Sequence, residues 1–223
     1  MKRAEVVKFI AGMVDEGSLT FEHYTNKLID LVEKLSEEDV MINLLECGVI
    51  PESYAHDSTE EKVYAKYSDI LLARAFSLLG FKTKVLKERA DSADVEAEAK
   101  NYTIVADAKV FRLSRTAKNQ KDFKVEALNR WRKDKDYACV VAPLYQYPRS
   151  SSQIYRQAID KNVTLLSYSH LYFALQQKNR KKFDYKPLWE AGKKLKGEKD
   201  AASYWTKIDE TMCKILGKKV SDL

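Results

Sequence analysis

The sequence predicts an α/β fold in which a mixed β-sheet is flanked by helices and preceded by a helical N-terminal region. Three observations predict it. Apolar residues fall at helical spacing through the first third of the chain, short strand-like runs follow from about residue 81, and a helical pattern separates the third run from the fourth. In order, Val6, Phe9, Ile10 and Met13 mark a first amphipathic helix, and Leu28, Ile29, Leu31, Val32 and Leu35 continue the pattern. "SEEDVMINLLECG" has a capping serine, early acids and a terminal glycine. After an "IPESYAHD" loop, "STEEKVYAKYSDILLARAFSLLG" reads as a long helix ending at Gly80, with Ser58 and Glu61 at capping-box spacing. The strand-like runs are "FKTKVL", "DVEAEA", "YTIVADA", "YACVVAP" and "VTLLSY". The second and third form an antiparallel hairpin turning at Lys100 and Asn101, whereas the later runs need crossovers. The first crossover carries the helical pattern from about Asn119 to Arg132, with Phe123, Leu128 and Trp131 as its buried stripe. From Gln176 to Asp200 the chain is rich in lysine and poor in apolar residues, which predicts a loop or linker. "AASYWTKIDETMCKILGKK" then closes with an amphipathic helix. A single domain is expected over 1–223, with N-terminal helices at 1–56, a core at 57–177, and a linker and last helix at 178–223.

With 45% hydrophobic and 32% charged residues and no apolar run of membrane-spanning length, the composition is that of a soluble globular chain. The N-terminus starts with basic residues, but Glu5, Lys8 and Asp15 interrupt its apolar stretch, so it reads as an amphipathic helix and not as a signal peptide. Cys47, Cys139 and Cys213 are odd in number and lack zinc-site or disulfide spacing, which points to a reducing cytoplasm. His23, His56 and His170 show no ligand spacing and read as surface or core groups, and Cys139 reads as a small buried hydrophobe. Net charge is +6. Between Asp107 and Lys133 there are nine Lys or Arg against three acids, so one stretch matches the excess of the whole chain and suggests an anionic partner.

The third strand-like run ends in "VADAK". Strand alternation puts Asp107 and Lys109 side by side. If Ala99 pairs with Tyr102 across the hairpin, the register puts Asp94 directly opposite Asp107, and facing positions of an antiparallel pair have Cβ atoms only about 4.5–5.5 Å apart. Like charges that close call for a cation between them. Two carboxylates beside an ammonium suit a hard divalent ion such as Mg²⁺, which takes oxygen ligands. Spacing alone leaves a second reading open, in which Asp94 stands in water at a strand entrance and Lys109 pairs with Asp107 at the surface. Downstream, "FRLSRTAKNQKDFK" gathers Arg112, Arg115, Lys118, Lys121 and Lys124 with Asn119 and Gln120, side chains suited to phosphates and base edges. A basic run is usually a solvated face, but this one begins within a few residues of the candidate metal site.

These residues resemble a known family. Asp94 followed by Asp107, Ala108 and Lys109 matches the PD-(D/E)xK nuclease motif, although Ala93 stands where the motif has proline. "VADAKVFRLSRTAKNQKDFKVEAL", "WRKDKDYACVVAP" and "QYP" are similar to the HindIII group of type II restriction endonucleases, which cut the palindrome AAGCTT. The resemblance runs from the N-terminal helices to about residue 215. Members of that group continue well past the point matching Leu223, so it also implies a further C-terminal helical portion.

The resemblance implies that Asp94 and Asp107 hold Mg²⁺, for which Mn²⁺ substitutes, with the Ala108 carbonyl as a further ligand and Lys109 beside the attacking water. The family often brings in an acid from a preceding helix. Glu61 is the candidate, with its capping box to Ser58 as the alternative. Asn119 and Lys121, with Ala117 nearby, are the candidates for reading bases in the major groove, since Asn contacts adenine and Lys reaches guanine acceptors. Arg112, Arg115, Lys118 and Lys124 are candidate phosphate contacts. Asp122 either accepts from cytosine or pairs with Lys121 or Arg115, and Glu96 and Glu98 are expected in solvent. The implied function is Mg²⁺-dependent hydrolysis of double-stranded DNA at a palindrome, leaving 5′-phosphate and 3′-hydroxyl ends. It implies a homodimer in a bacterial cytoplasm alongside a DNA methyltransferase of the same specificity. Two rival readings are a DNA-binding relative without activity and a repair or junction nuclease with the same core.

Overall fold

A computed structural model describes residues 1–17, 20–86, 92–114, 120–178, 183–195 and 200–223, with the side chain of Gln120 left aside. Three helices open the chain: α1 (Arg3–Asp15), α2 (Phe21–Glu33) and α3 (Glu37–Glu46). Thr20 and Ser36 cap the second and third by accepting the backbone N–H of His23 and Asp39. All three pack on α4 (Thr59–Leu78), and polar groups fix the docking. The Arg3 guanidinium donates to the Tyr64 hydroxyl and the Val49 carbonyl, and the Tyr67 hydroxyl donates to Asn43 Oδ1 at 2.9 Å.

Burial along α4 is not confined to a stripe. Between Val63 and Phe76 nearly every side chain is buried, because the N-terminal helices cover one side and the sheet covers another. Two charged residues, Lys66 and Asp69, lie inside this stretch and are both buried. Each therefore needs a partner, since an unpaired buried charge is strongly unfavourable.

The sheet has the order β1 (Lys82–Val85), β2 (Val95–Glu98), β3 (Thr103–Ala108), β4 (Tyr137–Ala142) and β5 (Val163–Ser167). The first three strands are antiparallel neighbours, and β3, β4 and β5 run parallel, giving the mixed sheet that the sequence predicts. β4 and β5 are buried throughout, as parallel strands covered on both faces are. Between β3 and β4 runs α5 (Val125–Trp131), and between β4 and β5 runs α6 (Gln153–Lys161). After β5 come α7 (Tyr168–Gln177), α8 (Lys186–Trp189) and α9 (Ala201–Leu216). No helix among the described residues is long and apolar enough to cross a membrane, and Cys47, Cys139 and Cys213 are free and buried.

Three expectations need correction. The helical pattern expected from about Asn119 to Arg132 is broken: a 3-10 turn at Gln120–Phe123 precedes α5, and Lys124 between them has a left-handed backbone with φ 50°. Phe123 pulls the chain inward at that point by stacking on Tyr147, with ring centroids 4.8 Å apart. The segment from Gln176 to Asp200, expected as a loop or linker, contains α8 and a 3-10 turn at Ala191–Lys194. Tyr185, Leu188 and Trp189 within it are buried, and Trp189 meets Phe76 and Phe81 edge-on. Finally, Tyr168, read as the end of the last strand, begins α7, because Ser167 caps a helix there by accepting the His170 N–H.

Candidate active site

The hairpin sets the first part of the site. Val95 pairs with Ala106 and Glu98 with Thr103, the register predicted from the turn, and its continuation puts Asp94 across from Asp107. Asp107 is buried at 2% exposure, and the Lys109 ammonium, itself mostly covered, forms an ion pair with it. The side-by-side placement expected from alternation is therefore present, but in the interior, so the surface-pair reading does not hold. Lys109 is pinned by its backbone: its N–H donates to the Val141 carbonyl at 2.7 Å, and its carbonyl accepts from the Tyr168 hydroxyl at 3.1 Å.

The second part comes from α4 and was not foreseen. Asp69 reaches the end of β3, where its Oδ1 accepts the Ala108 N–H at 3.2 Å. One carboxylate oxygen from each of Asp69, Asp94 and Asp107 lies within 4.8 Å of the others. Lys66, one helical turn before Asp69, donates to the Leu86 carbonyl at 3.0 Å and pairs with Asp94 Oδ1 at 3.4 Å. The cluster thus contains three carboxyl groups and two ammoniums, an excess of one negative charge when all three acids are ionised.

Burial raises the carboxyl of Asp69 well above the usual carboxylate range, and the charges of Asp94 and Asp107 push it further. Asp107 is also raised, by burial first, against the opposing pull of Lys109. Lys124 is close enough for its charge to favour the ionised form of Asp107, which links the basic stretch to the acidic cluster. Converging carboxylate oxygens that their lysines only partly neutralise have the donor chemistry that a hard divalent cation requires.

Glu61 does not join the cluster. It sits two helical turns before Asp69, about 12 Å along the axis. Ser58 accepts the Glu61 N–H, but the Glu61 carboxylate turns to the Asp57 N–H at 2.8 Å and to Arg112 Nη2 at 3.0 Å, so half of the expected capping box forms. Arg112 is likewise occupied within the fold: beyond Glu61 it donates to the carbonyls of Tyr54 and Ala55 and pairs with Glu52. Its guanidinium is mostly covered, which sets it apart from a residue reaching out to phosphate.

Lys121 and Lys124 are exposed, and Asp122 is half-buried and already engaged. Arg115, Ala117, Lys118 and Asn119 lie outside the described residues. Glu98 is exposed and Glu96 half-buried, while Phe123 and Leu128 are core and Trp131 packs against it. His170 is a core group whose ring contacts Ser167 and Asp209.

What sequence reasoning missed was Lys66 and Asp69. The available signal was their position: two charged residues three apart inside "VYAKYSDILLARAF", a run otherwise suited to burial on every side. Such a pair is stable in a helix of that kind only beside complementary charges.

The family described as HindIII restriction endonuclease matches residues 4–223. Type II restriction enzyme HindIII of Haemophilus influenzae is 44% identical over 198 residues, which are 87% of this chain and 66% of that relative. The chain thus spans somewhat less than two thirds of the relative's length. With a mixed sheet flanked by helices, an acidic cluster at the strand ends and a family match over nearly all its residues, this chain belongs to the HindIII restriction endonuclease family.

Proposed function

We propose that this chain is a Mg²⁺-dependent endonuclease that hydrolyses both strands of duplex DNA at a palindrome, AAGCTT, leaving 5′-phosphate and 3′-hydroxyl ends. The observation that carries the reading is the convergence of Asp69, Asp94 and Asp107 with the ammonium of Lys109 at the end of β3, where the chain enters a basic stretch. Asp69, Asp94 and Asp107 with the carbonyl oxygen of Ala108 would hold the ion, and Asp69 takes the part that the resemblance gives to an acid of the preceding helix. When bound, the ion supplies positive charge against the phosphate and acidity to water.

The chain's own residues do the rest. Lys109 is held by two backbone hydrogen bonds and the Asp107 pair, so its ammonium is positioned to orient the attacking water and to stabilise charge that grows on the phosphate. Burial of Asp107 excludes bulk water and strengthens each of these interactions. Lys121 is offered for base edges and Lys124 for phosphate. Arg115 and Lys118 are further phosphate candidates, and Asn119, with Ala117, is a further base contact. A palindrome read twice by one chain requires a twofold dimer. A methyltransferase of the same specificity would protect host DNA in the same cytoplasm.

Plasmid DNA of known sequence, incubated with the protein and Mg²⁺, tests this. Discrete fragments whose ends all map to AAGCTT are expected. No cutting at that site, with binding retained, would instead support the inactive binder, and nicking governed by DNA structure would support a repair nuclease.

A further inference from the structure

We infer that Tyr168 is a positioning residue for the cleavage reaction: its hydroxyl, reaching across β4, fixes the backbone from which the Lys109 ammonium projects. The inference rests on reading Lys109 as the group beside the attacking water. β4 lies between β3 and β5, so the chain leaving β5 at Ser167 stands two strand spacings, about 10 Å, from the chain leaving β3. Tyr168 spans that gap and donates to the Lys109 carbonyl at 3.1 Å, while the Lys109 N–H donates to Val141 of the intervening strand at 2.7 Å. Lys109 lies one residue beyond β3, and its carbonyl takes its hydrogen bond from a phenol instead of from a strand. A phenol donates over such a span without bringing a second charge beside the ammonium.

The phenol itself has little freedom. Tyr168 is buried at 3% exposure, and the side chains of Cys47 and Ser68 border its hydroxyl. Ser68 immediately precedes Asp69, whose Oδ1 accepts the Ala108 N–H, so one buried hydroxyl stands between the α4 side and the β3 side of the site. The backbone behind the ring is locked as well. Ser167 caps α7, its N–H donates to His170 Nδ1 at 3.0 Å, and the ring proton is thereby left on Nε2 for Asp209 of α9 at 2.8 Å. Asp209 thus braces the start of α7, and α7 in turn holds Lys109. Burial raises the Tyr168 hydroxyl well above its ordinary range, so at neutral pH it stays a donor. Loss of that donor leaves the Lys109 carbonyl unpaired in the interior and lets its backbone shift. The chemistry is sensitive to such a shift, since a displacement of about 1 Å can lower a rate by roughly a hundredfold.

Tyr168→Phe removes the hydroxyl alone. Tyr54→Phe is the matched control, because the Tyr54 hydroxyl also donates to a backbone carbonyl, that of Val7 at 2.9 Å, among the N-terminal helices. Both variants of the whole chain are compared with wild type by affinity for an AAGCTT duplex in Ca²⁺, by single-turnover cleavage in Mg²⁺, and by amide hydrogen exchange over residues 105–112 in EDTA without DNA. Tyr168→Phe is expected to cleave at least about tenfold more slowly while binding within about twofold of wild type. Its Lys109 amide should exchange at least about fivefold faster. Tyr54→Phe should leave rate, affinity and this exchange unchanged. Cleavage by Tyr168→Phe at the wild-type rate, or an equal slowing in Tyr54→Phe, would overturn the positioning role alone. A wild type that does not cut AAGCTT would overturn the underlying reading and this role with it. Should Tyr168→Phe not fold, exchange in wild type still decides: a Lys109 amide protected to within about tenfold of Ala106 is expected, and an unprotected one would overturn the anchor.

Discussion

Burial holds the carboxyls of Asp69 and Asp107 above their ordinary range, and this sets how the cluster responds to pH. An acid whose pKa rises on folding favours the folded state below its ordinary value of 3.8, and that advantage is lost as pH climbs through the raised value. At neutral pH, with metal removed by chelator, the cluster should therefore destabilise the fold. Asp69→Asn keeps an Oδ1 acceptor for the Ala108 N–H and removes one of the like charges. In EDTA at pH 7 it should melt a few degrees above wild type, since about 1 kcal/mol moves Tm by ~2–4 °C in a chain of this size. The gap should close toward pH 4, and thermal melts across that range check it. A lower Tm for the variant at pH 7 would contradict the electrostatic reading. At this scale the sequence disclosed only part of the site. The Asp94 and Asp107 pair was legible because a tight hairpin fixes register from the turn outward. Asp69 was not, because it arrives from a helix 39 residues away from Ala108, and helical periodicity does not say which face meets which strand end.

Among the elements, the junction between the 50–57 loop and the chain after β3 is held by side chains that sequence patterning had assigned elsewhere. Arg112 reads from sequence as a phosphate contact, yet in the fold it ties Glu52, Tyr54, Ala55 and Glu61 together. Phe111 adds backbone pairing, its N–H donating to Gly48 and its carbonyl accepting from Ile50. Arg112→Ala should consequently lower Tm by several degrees, and the salt dependence of DNA affinity should keep its slope. A phosphate contact would instead lose about one unit of slope. Melting curves and a salt titration on the same sample separate the two roles. Gly48 makes a second test. A Cβ there would fall 2.3 Å from Cγ of Pro143, a ring with little freedom to move. Gly48→Ala should cost about 1–3 kcal/mol, the scale of overpacking, and denaturant unfolding measures it. The strands were legible as elements because alternation and apolar runs are local signals. The break at Lys124 and the packing of α8 were not, because both depend on distant aromatic partners, Tyr147 in one case and Phe76 and Phe81 in the other.

For the whole molecule, the basic stretch follows directly on the strand that carries Asp107, one corner of the acidic cluster, and the proposed function needs both: charge that gathers DNA, and a site that cuts it. The class of fold followed from element order, since a hairpin followed by helical crossovers admits few topologies. The proposed twofold reading of a palindrome predicts two chains per duplex. Native mass spectrometry in Ca²⁺, which should support binding without efficient hydrolysis, should show that stoichiometry on an AAGCTT duplex, and one chain per duplex would contradict it. The claim that the cluster around Asp107 is a hydrolytic site is tested most directly by comparing wild type with Asp107→Asn on one end-labelled AAGCTT duplex. Binding is measured in Ca²⁺ and single-turnover cleavage in Mg²⁺. Similar binding is expected, with a cleavage rate at least about a hundredfold lower in the variant, the scale of losing a group that organises transition-state charge. Cleavage by Asp107→Asn at the wild-type rate would contradict it.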